Sequence, residues 1–470
     1  FYAIHPSSTT LLILKSFILA LGAFPLYLLA SELLKSKRTG FVLAVAYLLY
    51  PGLQGANWFD FQPQIFIPVL VFSSVYFMTK EQWRLYFTGM ILTLMIEEHV
   101  PLIVLFIAIY FLLAEDLGHL RKSLKHRYMN RTSALIVTIV IAIIGFFIAK
   151  YVIGLFPIKH EFLEFYKAIH NWNVLGLKNN PLFIPIYILR NPQHLFKALL
   201  YDYPFKFLYI ILLFGPLLFI PFKSKLSIIT LAFLAPFLLS NRKAYYTIGA
   251  HYPLYLMPTI FLACIEALSG KGYSKDLAPT LRNMLVVTII FIVSASPLSP
   301  LANTFVKDSL FWYPAPHSID EGVKSLHEII GLVPHNASIL TQNHIFPHIS
   351  NRINAYVIPV AWFPSSMNKI VNDYLEQLVN KSEYILLDVR ERDPYTLFVF
   401  EEINNNGGYR AYAFAGVFVL FKRDLGIGTP IFPLHMDHGV FLAHRDFKIA
   451  FGKIVSDASS KSDYVVFCPK

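Results

Sequence analysis

The chain has 470 residues, of which 56% are hydrophobic and only 15% charged, and its mean hydropathy is +0.53. Such a composition is too apolar for a soluble enzyme of this size and points to a polytopic membrane protein. The formal net charge of +11 does not require a nucleic-acid partner, because Lys and Arg concentrate in cytoplasmic loops and near lipid headgroups.

A spanning helix needs roughly 17 to 25 mainly apolar residues, fewer where a neighbour protects its end. On that rule ten segments are predicted, at about 9–33, 41–56, 63–79, 83–96, 100–114, 132–156, 204–222, 226–240, 252–268 and 283–297. Glu97, Glu98 and Pro101 predict a break between 83–96 and 100–114 rather than one long helix, since two carboxylates and a proline are costly in mid-bilayer. The stretch Tyr50 to Pro63 reads as a Pro/Gly-bounded aromatic loop that carries one carboxylate, Asp60.

Alternate connections differ in charge. The set at 34–40, 80–84, 115–131, 223–225 and 269–282 is rich in Lys and Arg, whereas 51–62 and 97–99 contain neither. The positive-inside rule therefore places the first set in the cytoplasm and the second outside, together with 157–203, 241–251 and everything after 297. The piece from Pro192 to Tyr201 is expected to lie in the membrane interface, apolar residues down and Arg190 or Lys197 up; a lid over a substrate is the alternative.

Beyond residue 317 the pattern changes to alternating helix and strand. Helices are predicted at Ile319–Leu332 and Ser366–Asn380, and strands at Ser338–Leu340, Ala355–Ile358 and Tyr384–Asp388. Gly407 and Gly408 turn the chain into Tyr409–Phe414, with Gly416–Lys422 as a hairpin partner. The expected layout is a transmembrane helical domain over 1–300, an extracytoplasmic α/β domain over 301–425, and an incomplete β-rich module over 426–470. Because the chain opens at Phe1 without Met and without a charged leader, it reads as an internal piece of a longer protein.

Two outer turns hold acids close to hydrocarbon, Asp60 and Glu97-Glu98-His99, and such acids are functional candidates. Asp60 and Glu98 suit acid–base work, Arg242 and Lys243 suit binding of a phosphate, and His251 or His99 can act as base, phosphate donor or metal ligand. Asp60, Glu98 and His99 also offer hard oxygens and an imidazole to a divalent metal, Mg²⁺ or Mn²⁺. Plainer roles compete with each. A turn acid bonds nearby backbone N–H groups, an acid before Pro101 complements a helix dipole, and basic or aromatic residues at the surface contact headgroups. His435 and His438 have a two-His spacing without an identifiable third ligand, and the two cysteines, Cys264 and Cys468, offer no metal spacing. No Gly-rich phosphate loop or Gly-x-Ser-x-Gly is present, so nucleotide-driven transport and serine hydrolysis lack support.

The chain resembles a domain-of-unknown-function family of archaeal and bacterial polytopic membrane proteins, itself distantly similar to the GT-C glycosyltransferases. The resemblance rests on Pro25-Leu-Tyr-Leu-Leu-Ala30, Tyr50-Pro51, Phe59-Asp-Phe-Gln-Pro63, Ile96-Glu-Glu-His99, His251-Tyr-Pro253 with Pro258, Val333-Pro-His-Asn-Ala-Ser338 and His348-Ile-Ser-Asn-Arg352. It implies a GT-C-like membrane domain that takes sugar from a polyprenyl-phosphate carrier at the outer face. This sequence departs from the family in reading Gln62 where His is usual and Glu97-Glu98-His99 where Lys-Glu-Asp is usual, so the family's acid carries over best to Glu98. Relatives also have an outer acidic loop in a segment that would precede Phe1. The rival reading is a non-enzymatic, membrane-anchored assembly subunit whose outer modules bind a surface protein. A lipid or solute transporter is disfavoured by the scarcity of mid-helix charges, Lys15 being one, and by the lack of an evident repeat.

Overall fold

The computed structural model describes residues 5–113, 131–156, 171–177, 183–270, 277–297, 299, 301, 321–359, 368–391, 393–406, 408–423 and 435–436. These fall into two compact units, one running from Leu11 through the apolar helices and the other holding a C-terminal sheet.

In the first unit every predicted apolar run is helical. The helices are α1 (Ser8–Leu21), α2 (Ala23–Leu33), α3 (Lys37–Leu48), α4 (Pro51–Trp58), α5 (Phe66–Thr79), α6 (Trp83–Leu94), α7 (Val100–Leu113), α8 (Arg131–Leu155), α9 (Ile184–Arg190), α10 (Pro192–Leu200), α11 (Tyr203–Phe214), α12 (Ser227–Leu238), α13 (Pro253–Ser269) and α14 (Ala278–Ala295). Length and apolarity alone qualify three spans, Ser8–Leu33, Arg131–Leu155 and Ala278–Ala295, or up to five if each bent pair is counted as one. The break between α6 and α7 falls at Glu97–His99, where the two carboxylates and Pro101 make helix continuation unfavourable.

The expectation of a loop over Tyr50–Pro63 is corrected: Pro51 to Trp58 form α4, and Pro63–Ile65 a single 3-10 turn. Pro51 stands at the first helical position, where its fixed φ is preorganised and its missing N–H costs nothing. Only Phe59 to Gln62 remain irregular, and Asp60 is exposed there.

Helix α13 is the centre of this unit. It is apolar and buried around nearly its whole circumference, as expected of a helix enclosed by others. Phe261 on α13 meets Tyr47, Tyr50 and Phe72 edge-on at ring separations of 5.6, 5.5 and 6.4 Å. Helices α2 and α3, α5 and α6, and α7 and α8 pack as pairs, and α2, α5 and α7 contact α13. Gly22, between α1 and α2, permits the Tyr47 hydroxyl to approach so closely that a Cβ there would lie 2.4 Å from it. That hydroxyl donates to the Leu19 carbonyl at 2.9 Å, satisfying a backbone acceptor beside the break. By contrast α8 and α14 expose apolar faces, including Phe147, Ile148, Val286 and Ile290, the arrangement expected of helices bordering lipid.

The second unit carries α15 (Glu321–Gly331), α16 (Asn368–Lys381), α17 (Pro394–Asn406) and strands β1 (Ile339–Gln342), β2 (Ala355–Ile358), β3 (Tyr384–Asp388), β4 (Tyr409–Gly416), β5 (Phe418–Arg423) and β6 (His435–Met436). The sheet order is β2-β1-β3-β5-β4-β6. Strands β2, β1 and β3 are parallel, β5 is antiparallel to β3 and β4, and β6 runs parallel to β4. Strands β1 and β3 are buried at every position, as parallel strands covered on both faces require. Helix α17 is not among the predicted elements; Asp393 starts it by accepting the Tyr395 and Thr396 amides at 3.0 and 3.2 Å. Of the module expected over 426–470, only His435 and Met436 lie within the described residues.

Candidate functional site

The irregular segment after α4 is held beside the segment before α13 by a close backbone approach. A Cβ on Gly55 would lie 1.6 Å from the Ile248 carbonyl oxygen, so only glycine lets α4 pack there. In consequence the Phe59 ring lies 5.2 Å from the His251 ring. Lys15, a buried residue of α1, donates from Nζ to the Phe59 carbonyl and interacts electrostatically with Asp60.

The acidic turn between α6 and α7 divides its two carboxylates. Glu98 faces Lys150 at 3.3 Å and His99 at 3.6 Å. Glu97 turns toward α13, where its Oε2 accepts from Gln64 Nε2 at 2.8 Å and from the Tyr255 hydroxyl. Gln64 Nε2 also donates to the Tyr255 oxygen at 3.0 Å, so the amide orientation is fixed by its neighbours. Gln64 is 5% exposed, and its Oε1 has no hydrogen-bond partner among the described residues. A buried unpaired amide oxygen is a standing cost that a hydroxyl donor would relieve.

Tyrosines continue this wall. The His251 ring lies 4.3 Å from Tyr252 and 6.3 Å from Tyr255, and the Tyr245 ring stands 4.5 Å from Tyr252. The Arg242 guanidinium sits over Tyr245 at 5.7 Å. Burial raises the pKa of Tyr245, with Arg242 pulling it down and Glu97 pushing it up. The Tyr245 phenol therefore stays protonated and feels a cation and an anion at once. Burial first, and Arg242 second, lower the pKa of His251 to about 4, so the ring is neutral near pH 7; its Nδ1 is buried and has no partner among the described residues.

Of the residues singled out by sequence, the structure brings His251 and Arg242 to one tyrosine wall and places the Asp60 segment alongside through Phe59. Lys243 instead caps the Phe205 ring at 4.0 Å, and Glu98 with His99 joins Lys150. Asp60, Glu98 and His99 are not gathered into a metal centre; among the described residues no group of three or more His, Cys, Asp or Glu is placed to hold one. His438 lies outside the described residues. The residues that sequence reasoning missed are Gln64, Tyr245, Tyr252 and Tyr255, together with the choice of Glu97 over Glu98. The tyrosines had a signal, because Tyr252 and Tyr255 are three apart at a helix start and share a face.

The second unit has its own polar knot. Buried Asp388 at the end of β3 accepts Arg390 at 2.6 Å and stands 3.5 Å from His344. Burial works to raise the Asp388 pKa, but the bonds from His344 and Arg390 hold it at about 2. Gln342 exchanges hydrogen bonds with the Asp388 backbone at 2.6 and 3.0 Å, which locks the ends of β1 and β3 together.

The family model described as "Predicted membrane protein (DUF2079)" matches residues 1–414. No curated protein matches the chain.

Proposed function

The chain belongs to the DUF2079 family of predicted membrane proteins, and from that premise we propose that it is a multi-pass membrane glycosyltransferase with its site at the outer face. The helical runs alternate across the bilayer, the basic connections lie in the cytoplasm, and the α/β domain is extracytoplasmic. The substrate is a sugar on a polyprenyl-phosphate carrier. This reading joins the GT-C resemblance to one observation: a carboxylate, Glu97, bonded to Tyr255, and a guanidinium, Arg242, over Tyr245 stand on the same tyrosine wall, beside a buried amide oxygen that has no donor among the described residues.

Each group then has a role that its surroundings favour. Glu97 receives the proton of the acceptor hydroxyl, with Gln64 and Tyr255 fixing its orientation. Arg242 faces the departing phosphate, where positive charge is worth most in a site shielded from water. Gln64 Oε1 and His251 Nδ1 take hydroxyls of the sugar or acceptor. Asp60 stands at the rim, exposed and tied to Lys15 by charge. No step is routed through a divalent metal, because the described residues do not assemble its ligands.

The test uses membranes containing the protein and a panel of radiolabelled polyprenyl-phosphate hexoses. Wild type should pass label to a membrane acceptor. Glu97→Gln and Arg242→Gln should each lower the rate about 10²-fold or more, the usual size of a lost acid–base or charge-stabilising group. Glu98→Gln should stay within about twofold, since its partner is Lys150. Full activity in Glu97→Gln would remove the proposed site. An inactive wild type that purifies with a stoichiometric surface protein would establish the anchored-subunit reading instead.

A further inference from the structure

We propose that α9 and α10 form a platform lying in the plane of the bilayer surface, with Arg190 and Lys197 on anionic lipid headgroups, and that this platform props the Arg242–Tyr245 segment of the site. The argument begins with the bend. Pro192–Leu200 and Tyr203–Leu217 meet at 78°, so an α11 that runs across the membrane leaves α10 nearly parallel to its surface.

The bend is built in. Asp202 adopts a left-handed conformation there (φ 56°) and accepts the Tyr246 hydroxyl at 2.9 Å. Buried Lys206 donates to the Ala198 carbonyl at 2.7 Å, capping the end of α10 as a cation does at a helix C-terminus.

Both faces of the pair are apolar. The inner face buries Ile184 and Ala198 with Trp172 and Leu175 in a small separate core. On the outer face Phe183, Ile186, Leu189, Phe196 and Leu200 are 54%, 52%, 84%, 64% and 67% exposed. So many large apolar side chains left exposed on neighbouring helices mark a surface meant for an apolar partner, and Tyr203 and Phe207 at the start of α11 are exposed as well. Arg190 and Lys197 are exposed beside it, and neither is ion-paired among the described residues. An apolar outer face flanked by cations that have no ion pair among the described residues fits the interfacial layer of an anionic bilayer.

The platform also reaches the site. Trp172, in its core, packs on the Tyr245 ring at 5.9 Å, and Asn171 donates to the Tyr245 hydroxyl at 3.1 Å. Asn241 and Asn171 are joined by a backbone bond of 3.0 Å. Lifting α9 and α10 from the lipid would therefore move Tyr245 and its neighbour Arg242. The inference rests on membrane residence and not on sugar transfer, so the two can fail separately.

The test places nitroxide labels at Leu189→Cys and Phe196→Cys, singly, in the full chain with Cys264→Ala and Cys468→Ser, reconstituted in nanodiscs. Both labels should be relaxed by oxygen and shielded from a water-soluble nickel chelate, while a label at Ser350→Cys should show the reverse. Free access to nickel at 189 and 196, or shielding from both reagents, would overturn the platform. In discs of phosphatidylcholine with phosphatidylglycerol the labels should sit deeper than in phosphatidylcholine alone, and Arg190→Gln with Lys197→Gln should abolish that difference. Equal depth in both lipids would remove the headgroup contact.

Discussion

His251 shows how burial changes what a residue can do. An unperturbed imidazole titrates near 6.5, but burial, followed by Arg242, holds this one at about 4. Above pH 6.5 folded and unfolded chains both carry it neutral. Between pH 6.5 and 4 the unfolded chain takes up a proton that the folded chain refuses, so folding stability falls as pH falls through that window and levels off below it. The effect is on the order of 2 kcal/mol or less after solvent screening. His251→Phe should keep the ring stacked and flatten this dependence; the melting temperature in detergent at pH 7 and pH 4.5 measures it, and an unchanged pH slope in the variant would dissociate the residue from the effect. The sequence marked His251 and Arg242 by their place in an outer turn and favoured Glu98 of the acidic pair, whereas it is Glu97 that the structure turns toward α13. Adjacent residues in a turn point different ways, and the partners that decide the matter, Gln64 and Tyr255, lie 33 and 158 positions from Glu97.

Elements were legible wherever one physical cue dominated. Long apolar runs became helices because a buried or lipid-facing backbone must satisfy its own hydrogen bonds. Tyr384–Asp388 was readable as a strand because a short, uniformly apolar run suits a strand covered on both faces. Tyr50 to Pro63 was misread because its punctuation has another use. Pro51 starts α4, and Gly55 serves a close approach to Ile248 rather than a turn. Gly55→Ala should therefore force α4 away from the 248–251 segment. Overpacking of this kind costs about 1–3 kcal/mol, so the melting temperature should fall by several degrees, and sugar transfer should fall with the displaced Phe59. Gly154→Ala on α8, whose added Cβ meets nothing within 4 Å among the described residues, should leave both unchanged. Equal behaviour of the two variants would show that the Gly55 contact is not required.

At the scale of the whole molecule, composition marked the membrane class and charge asymmetry supplied a sidedness, whereas the sheet order could not be read. The pairing of β3 with β5, rather than with β4, which precedes β5 in the chain, joins segments whose local sequences carry no address for one another. Sidedness is the property on which the proposed outer-face chemistry depends, because a carrier sugar and an acceptor must meet Glu97 and Arg242 on one side. The proposed side follows from the rule that Lys and Arg in short connections resist translocation. The prediction follows from exposed positions: in a chain with Cys264→Ala and Cys468→Ser, Ser350→Cys lies in the α/β domain and Gln82→Cys in a basic connection. A membrane-impermeant maleimide should label Ser350→Cys on intact cells and reach Gln82→Cys only after permeabilisation. Labelling in the opposite order would turn the protein over and put the Glu97 site in the cytoplasm, where the proposed carrier chemistry would have to be abandoned. Labelling of both on intact cells would instead show that the connection at 80–84 lies outside, contradicting the alternation drawn from the basic residues.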